Sequence, residues 1–286
     1  MNSFVERENE VKKLGHYVTR EHVIDSQTRT LISSRYHTIT KTINRELWNS
    51  VSDEEHSFYV GSYGRRTAID TSDIDILIEV PNNFYVASTN TTYNPQSYLL
   101  QVVKNAILTS YPRSNVRGDG QVVVIEFSDG MKVEILPAMR QTDRFGNITY
   151  TYPDTHMGGN WLSTNPKLEQ EAMMKRNNDS NGLLFDTCKH IRWIRDEFFS
   201  SYYLSGIVID SFVYAAIGGW HWLKEDEKSD GQPKGAYEQR LLSYFNQITW
   251  SGNVSDFYLK APGSGMSVNT KNSFECLDKV LRKMVE

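Results

Sequence analysis

The chain has 286 residues, enough for one large domain or two lobes. Hydrophobic residues make up 39% and charged residues 23%, and the net charge of −4 argues against the broad basic surface of a protein built to cover nucleic acid. Two cysteines, Cys188 and Cys276, are too few for a disulfide scaffold. They have no metal-type spacing, no signal-peptide core precedes them, and no apolar run approaches the ~20 residues of a membrane span, so a cytoplasmic setting is expected.

Phe4, Val11, Leu14 and Val18 predict a helix over residues 3–24. Asp25 or Ser26 is placed to cap a longer one, whose stripe is Ile32, Tyr36, Ile39, Ile43 and Leu47. His16, His22 and His37 read as solvated, since no Cys or carboxylate stands at a ligand spacing. A short strand, Phe58–Val60, leads into a turn at Gly61-Ser62 and a polar loop through Arg65, Arg66 and Thr67. A second strand carries Asp73 and Asp75 and is ended by Pro81. Residues 82–93 predict a loop. Asn94-Pro95 starts a helix with Tyr98, Leu99, Val102, Ala106 and Ile107 inward. Arg117-Gly118-Asp119-Gly120 predicts a turn. Residues 121–127 and 131–136 then form a hairpin about Ser128-Asp129-Gly130, with Pro137 ending its second strand.

Residues 141–181 are polar and read as a connection between lobes, with Tyr150, Tyr152 and Trp161 either packed or lining a cleft. Beyond them the pattern is helical. Leu184, Cys188, Ile191, Ile194 and Phe198 form one stripe, with Lys189 off it. Further helices are expected over 207–223, from Tyr237 to Ile248 and from Phe274 to Met284, with loops at 224–235 and Pro262–Gly265.

Residues two apart on a strand share a face, so Asp73 and Asp75 project side by side while Ile74 and Ile76 point inward. Adjacent carboxylates repel unless a cation lies between them, and oxygen-only donors suit Mg²⁺ or Mn²⁺ rather than zinc. A third acid on a neighbouring strand, Glu134 or Glu126, would complete a two-metal site for phosphoryl or nucleotidyl transfer. Gly61 admits close approach of a phosphate, Ser62 and the following N–H groups would cradle it, and Lys189 or Arg65 would add positive charge.

The stretch GSYGRRTAIDTSDIDI resembles the Gly-Ser … Asp-x-Asp signature of the polymerase-β-like nucleotidyltransferase superfamily, and more narrowly the bacterial cGAS/DncV-like cyclic oligonucleotide synthases. KVEILPA (132–138) is similar to that family's third-acid strand, which favours Glu134 over Glu126 as the third metal ligand. CKHIRWIRDE resembles the helix bearing a phosphate-contacting lysine, here Lys189, and WLSTNP (161–166) the entry to the helical lobe. Arg66 stands where a glycine is common, and Glu134 where some members carry Asp.

The resemblance implies an α+β, two-lobed fold. A mixed-sheet catalytic core spans residues 1–160, a helical lobe spans 161–286, and a long N-terminal helix spans both. It implies two Mg²⁺ ions, or Mn²⁺ in their place, with Asp73, Asp75 and Glu134 as ligands. It also implies synthesis of a cyclic di- or trinucleotide from nucleoside triphosphates in bacterial anti-phage signalling. The expected protein is a monomer with no obligate nucleic-acid activator and no membrane, open to a regulatory protein partner. A nucleotidyltransferase that modifies a protein or tRNA, or a non-catalytic nucleotide sensor, stands as the alternative.

Overall fold

A seven-stranded mixed sheet holds the strands that carry the acids side by side. The structure, a computed structural model, describes residues 18–20, 23–70, 72–83, 94–229, 231–249 and 257–286. The helix expected over 3–24, with His16 and His22, and the loop expected over 82–93 fall largely outside them. The chain divides into two compact units. One comprises Ile24–Gly64 and Thr71–Pro166, the other Met1–Val23, Arg65–Asp70 and Lys167–Glu286.

In the sheet unit, Asp25 caps α1 (Ser26–Ile43), its carboxylate accepting from the N–H groups of Gln27 and Thr28 at 2.8 and 2.9 Å. Those are two of the donors a helix start leaves without an internal partner. A π-helical turn, Asn44–Trp48, continues it. Then come β1 (Ser57–Tyr59), the one-turn helix α2 (Gly61–Gly64), β2 (Ile74–Glu79), α3 (Pro95–Ser110), β3 (Asn115–Asp119) and β4 (Val122–Glu126). β5 (Lys132–Thr142), β6 (Ile148–Asp154) and β7 (Asn160–Thr164) complete the unit. The order is β1-β2-β5-β4-β3, with β6 on the far half of β5 and β7 on β6. Only β2 and β5 run parallel among these pairs.

A parallel pair needs cover on both faces, which accounts for the near-continuous apolar run of Ile74, Ile76, Leu77 and Ile78, all buried. α1 packs on β2 and α3 on β3, β4 and β5. On the opposite face Leu77 and Ala138 join Val60 and Tyr150 in a small core, with Phe58, Leu136, Ile148 and Tyr152 around it. Asp75 and Glu134 occupy that same face, two residues before Leu77 and Leu136.

Four expectations for this unit need correction. Pro137 does not end β5. β4 leaves β5 after Ile135 and β6 joins at Met139, so the proline sits where the strand changes partners and a missing N–H disturbs least. Residues 141–181 are not a connection, since they hold the end of β5, β6, β7 and a helix. Tyr150, fully buried, is core, and its hydroxyl donates to Glu79 Oε1 at 3.2 Å. Arg117 and Gly118 lie in β3, not in a turn. In α3 the buried stripe runs through Leu99, Leu100, Val103, Ala106 and Ile107, leaving Tyr98 exposed. The Asn94 cap itself holds, its side chain accepting from the Ser97 N–H at 3.0 Å.

The helical unit contains α4 (Pro166–Asp179), α5 (Leu183–Phe198), α6 (Gly206–Ala216), α7 (Ala236–Ile248) and α8 (Phe274–Val285). Its core gathers Leu184, Cys188, Ile191 and Ile194 of α5 with Phe212, Leu241, Phe245, Leu277 and Leu281. Each such fully buried apolar side chain contributes roughly 1.5–3 kcal/mol. The helix expected over 207–223 stops at Ala216, and Trp220 packs from the loop beyond it. Ala68 and Ile69, from the segment between α2 and β2, are buried in the same unit.

Candidate active site

β1 delivers the chain to the site and α2 turns it. The Val60 N–H donates to the Asp75 carbonyl at 2.9 Å, and the Gly64 N–H donates back to Val60 at 2.8 Å. The expected Gly61-Ser62 turn is therefore one helical turn, whose first N–H groups point away from the helix body. Gly61 has φ 58°, and a Cβ there would lie 1.8 Å from Asp75 Oδ2. Only glycine lets this backbone press against the carboxylate. Ser62 follows, half-buried.

β2 and β5 present the acids. Their parallel register pairs Asp75 with Glu134, and Ile74 with Val133. Adjacent strands lie about 4.8 Å apart, so the two carboxyl groups start from neighbouring backbones. Asp73, exposed, precedes them on the same face. Glu126 lies on β4, two strands from β2 and so roughly 9–10 Å away. Its carboxylate accepts from Arg117 at 2.5 Å and Asn115 at 2.7 Å, and the Arg117 hydrogen bond holds its carboxyl below the usual range. Of the two rival third acids, Glu134 is the one placed beside Asp75.

One residue of the site had no part in the sequence expectations. Lys132 Nζ lies 3.1 Å from Asp73 Oδ2 and 2.5 Å from Glu134 Oε1. Partial burial works against its charge, but the hydrogen bonds to Glu134 and Asp73 outweigh it and raise the ammonium above the usual lysine value. The signal was in the sequence: two residues before Glu134 on a strand, Lys132 shares its face.

Arg65 and Lys189 belong to the helical unit. Arg65 is buried, with Nε 2.8 Å from Asp210 Oδ2 and Nη1 3.3 Å from Glu169 Oε2. Asp210, wholly buried, also accepts from Thr67 at 3.0 Å and from Arg192 at 2.7 and 2.9 Å. Burial alone would raise its carboxyl, but the charges of Arg192 and then Arg65 outweigh it and lower the pKa. Glu169 shows the opposite balance. Burial raises it, and the single guanidinium of Arg65 does not offset that. This network ties Arg65 into the fold of the helical unit. Arg66, the position where the resemblance leads one to expect glycine, adopts the left-handed φ of 63° that glycine takes most easily. Lys189 is half-buried on α5, off the apolar stripe.

The donor set at Asp73, Asp75 and Glu134 is all hard oxygen, and the Lys132 ammonium shows that two of its carboxylates converge on a cation. It fits Mg²⁺ or Mn²⁺. Elsewhere His37, Asp53 and Glu54 bring ligand atoms within 4.8 Å of one another. The fold supplies the carboxylates that spacing did not offer His37, yet both acids are exposed and the half-buried His37 also contacts the Asp53 carbonyl through Nδ1 at 3.1 Å.

A strand pair presenting three acids, next to a Gly-Ser helical turn on a mixed sheet, defines a nucleotidyltransferase-type fold. Residues 15–177 match the family described as Second Messenger Oligonucleotide or Dinucleotide Synthetase (SMODS) domain, and the chain belongs to that family. A cyclic AMP-AMP-AMP synthase of Acinetobacter sp. is 26% identical over 142 residues, covering 50% of this chain and 40% of the relative. The match thus spans well under half of that curated relative's length. Two solved structures share the fold across nearly the whole chain. The Elizabethkingia meningoseptica CdnE cyclic dinucleotide synthase with GTP and Apcpp aligns with TM-score 0.60 at 13% identity, covering 99% of this chain and 97% of that one. The Bradyrhizobium diazoefficiens CdnG in complex with GTP aligns with TM-score 0.64 at 12% identity, covering 96% and 89%. Among the described residues, no helix is long and apolar enough to cross a membrane.

Proposed function

We propose that the protein joins nucleoside triphosphates into a cyclic di- or trinucleotide second messenger with release of pyrophosphate, in bacterial anti-phage signalling. The observation that carries the reading is the register of β2 on β5, which sets Asp75 beside Glu134 with Asp73 on the same face and Gly61 against the Asp75 carboxylate. SMODS membership and relatives described as cyclic nucleotide synthases support the product class.

Asp73, Asp75 and Glu134 would hold two Mg²⁺ ions, which when bound lower the pKa of an attacking sugar hydroxyl and neutralise the leaving pyrophosphate. Ser62 and the N–H groups of α2 would receive the terminal phosphates, as the start of a helical turn offers donors to an anion. Lys189 would add charge to the triphosphate. Arg65 would act at one remove, anchoring the segment that follows α2 through Asp210. We assign the catalytic core to the sheet unit, Ile24–Gly64 and Thr71–Pro166, in place of the expected 1–160, and a part in nucleotide binding to the helical unit rather than to 161–286 alone.

Labelled nucleoside triphosphates with Mg²⁺ should give a small phosphatase-resistant product, whose bases and ring size mass spectrometry reads. The Asp73→Asn/Asp75→Asn variant should keep its fold and make none. Label transferred to protein or tRNA instead would refute the reading. A large stimulation by added DNA would refute the expectation that no nucleic-acid activator is needed.

A further inference from the structure

We propose that Lys132 is an internal counter-ion of the acidic site, holding Asp73 and Glu134 in place until a divalent cation displaces it. The inference rests on the metal reading of those acids and adds to it a residue that metal chemistry alone does not call for.

Covalent geometry puts Lys132 there. Strand alternation gives it the face of Glu134, and the pairing of Ile74 with Val133 sets Asp73 opposite it across the parallel ladder. Its Nζ then reaches both carboxylates, at 3.1 and 2.5 Å, without leaving its strand. The side chain is 31% exposed, whereas that of Lys175, which meets a single carboxylate, Asp179, along α4, is 82% exposed. A free surface lysine would spread into solvent; this one is drawn in.

An ammonium between two carboxylates relieves their repulsion as a metal ion would, but with one charge and three hydrogen-bond donors. A divalent ion brings twice the charge and direct coordination, so it wins the oxygens once its concentration suffices. Two consequences follow. The acids stay arranged while no metal is bound, and metal affinity is reduced by the strength of the two ion pairs that must open. Lys132 is thus a positioning residue for the metal ligands, and it sets the divalent-ion concentration at which the site fills.

The test uses the full chain as wild type, Lys132→Met and Lys132→Arg. Mn²⁺ binding is followed by the electron paramagnetic resonance of the free ion, and melting temperature is read in chelator and in Mn²⁺. Partly exposed ion pairs of this kind are weak, so Lys132→Met should bind Mn²⁺ about three- to tenfold more tightly. It should also melt lower in chelator and gain more degrees on adding Mn²⁺. Lys132→Arg should behave as wild type. Lys132→Gln serves for the same measurements where Met impairs folding. Unchanged or weaker Mn²⁺ binding by the neutral variant overturns the inference and leaves the metal reading standing. A wild type that binds no Mn²⁺, or binding undiminished in Asp73→Asn/Asp75→Asn, overturns both.

Discussion

Gly61→Ala should disarm the site while leaving most of the fold. A Cβ at position 61 would lie 1.8 Å from Asp75 Oδ2, 2.5 Å from its Cγ and 2.9 Å from its Cβ. Rotating the Asp75 side chain clears the first two contacts but not the third, so the backbone must also give. The carboxylate has to move by more than an ångström. Misplacement of about 1 Å costs on the order of 10²-fold in rate. The stability loss combines about 1–2 kcal/mol for a left-handed alanine and about 0.5–1.5 kcal/mol for driving Asp75 off its rotamer. Gly130→Ala is the control. It too has positive φ, at 88°, but nothing lies within 4 Å of its Cβ, so it should lose stability without losing turnover. Both variants are assayed for cyclic product by mass spectrometry below their melting temperatures. Turnover by Gly61→Ala within about threefold of Gly130→Ala would refute the close approach of Gly61 to Asp75 as a catalytic requirement.

Glu134→Gln should abolish product whereas Glu126→Gln should not, because Glu126 is tied to Arg117 and Asn115 two strands from β2; the reverse pattern would exchange their roles. Asp210→Ala leaves the guanidiniums of Arg192 and Arg65 buried without their shared carboxylate and should cost about 3–5 kcal/mol by urea unfolding. A loss under about 1 kcal/mol would show the network to be idle. Glu169 has a folded pKa raised above its ordinary 4.5, so its protonated form contributes stability that is full below that value and fades as pH rises through the folded pKa. Unfolding free energies from pH 4.5 upward should therefore shift progressively in favour of Glu169→Gln over wild type, and a shift in wild type's favour would show the sign to be wrong.

Short-range chemistry was legible in the sequence, and long-range partnership was not. The Asp25 and Asn94 caps act within three residues of themselves, and Asp73 and Asp75 declare a shared face by spacing alone. β6 and β7 gave no such signal. Few of their residues are fully buried, so no apolar run or clean alternation marked them as strands. Tyr150 was ambiguous for the same reason, since its burial depends on Leu77 and Val60, far back in the chain. Pro137 misled because proline's meaning in a strand depends on which neighbour needs its N–H. Arg65 read only as a candidate phosphate-side cation because the carboxylate it pairs with in the fold lies 145 residues away.

The helical unit's dependence on residues 65–70 has a consequence for synthesis and for dissection of the protein. A fragment beginning at Lys167 would contain Asp210 and Arg192 but neither Arg65 nor Thr67, and Glu169 would lose its ion-pair partner. Its carboxylates would be buried with half their cations missing, a state that costs several kcal/mol. On the ribosome the order is favourable, because residues 65–70 emerge a hundred residues before the helices that enclose them. The helical unit can then close around a segment already made. Cutting the chain into sheet and helix pieces at residue 166 should give a sheet piece with an unsheltered Ala68 and Ile69 and a helical piece that folds poorly until that segment is supplied.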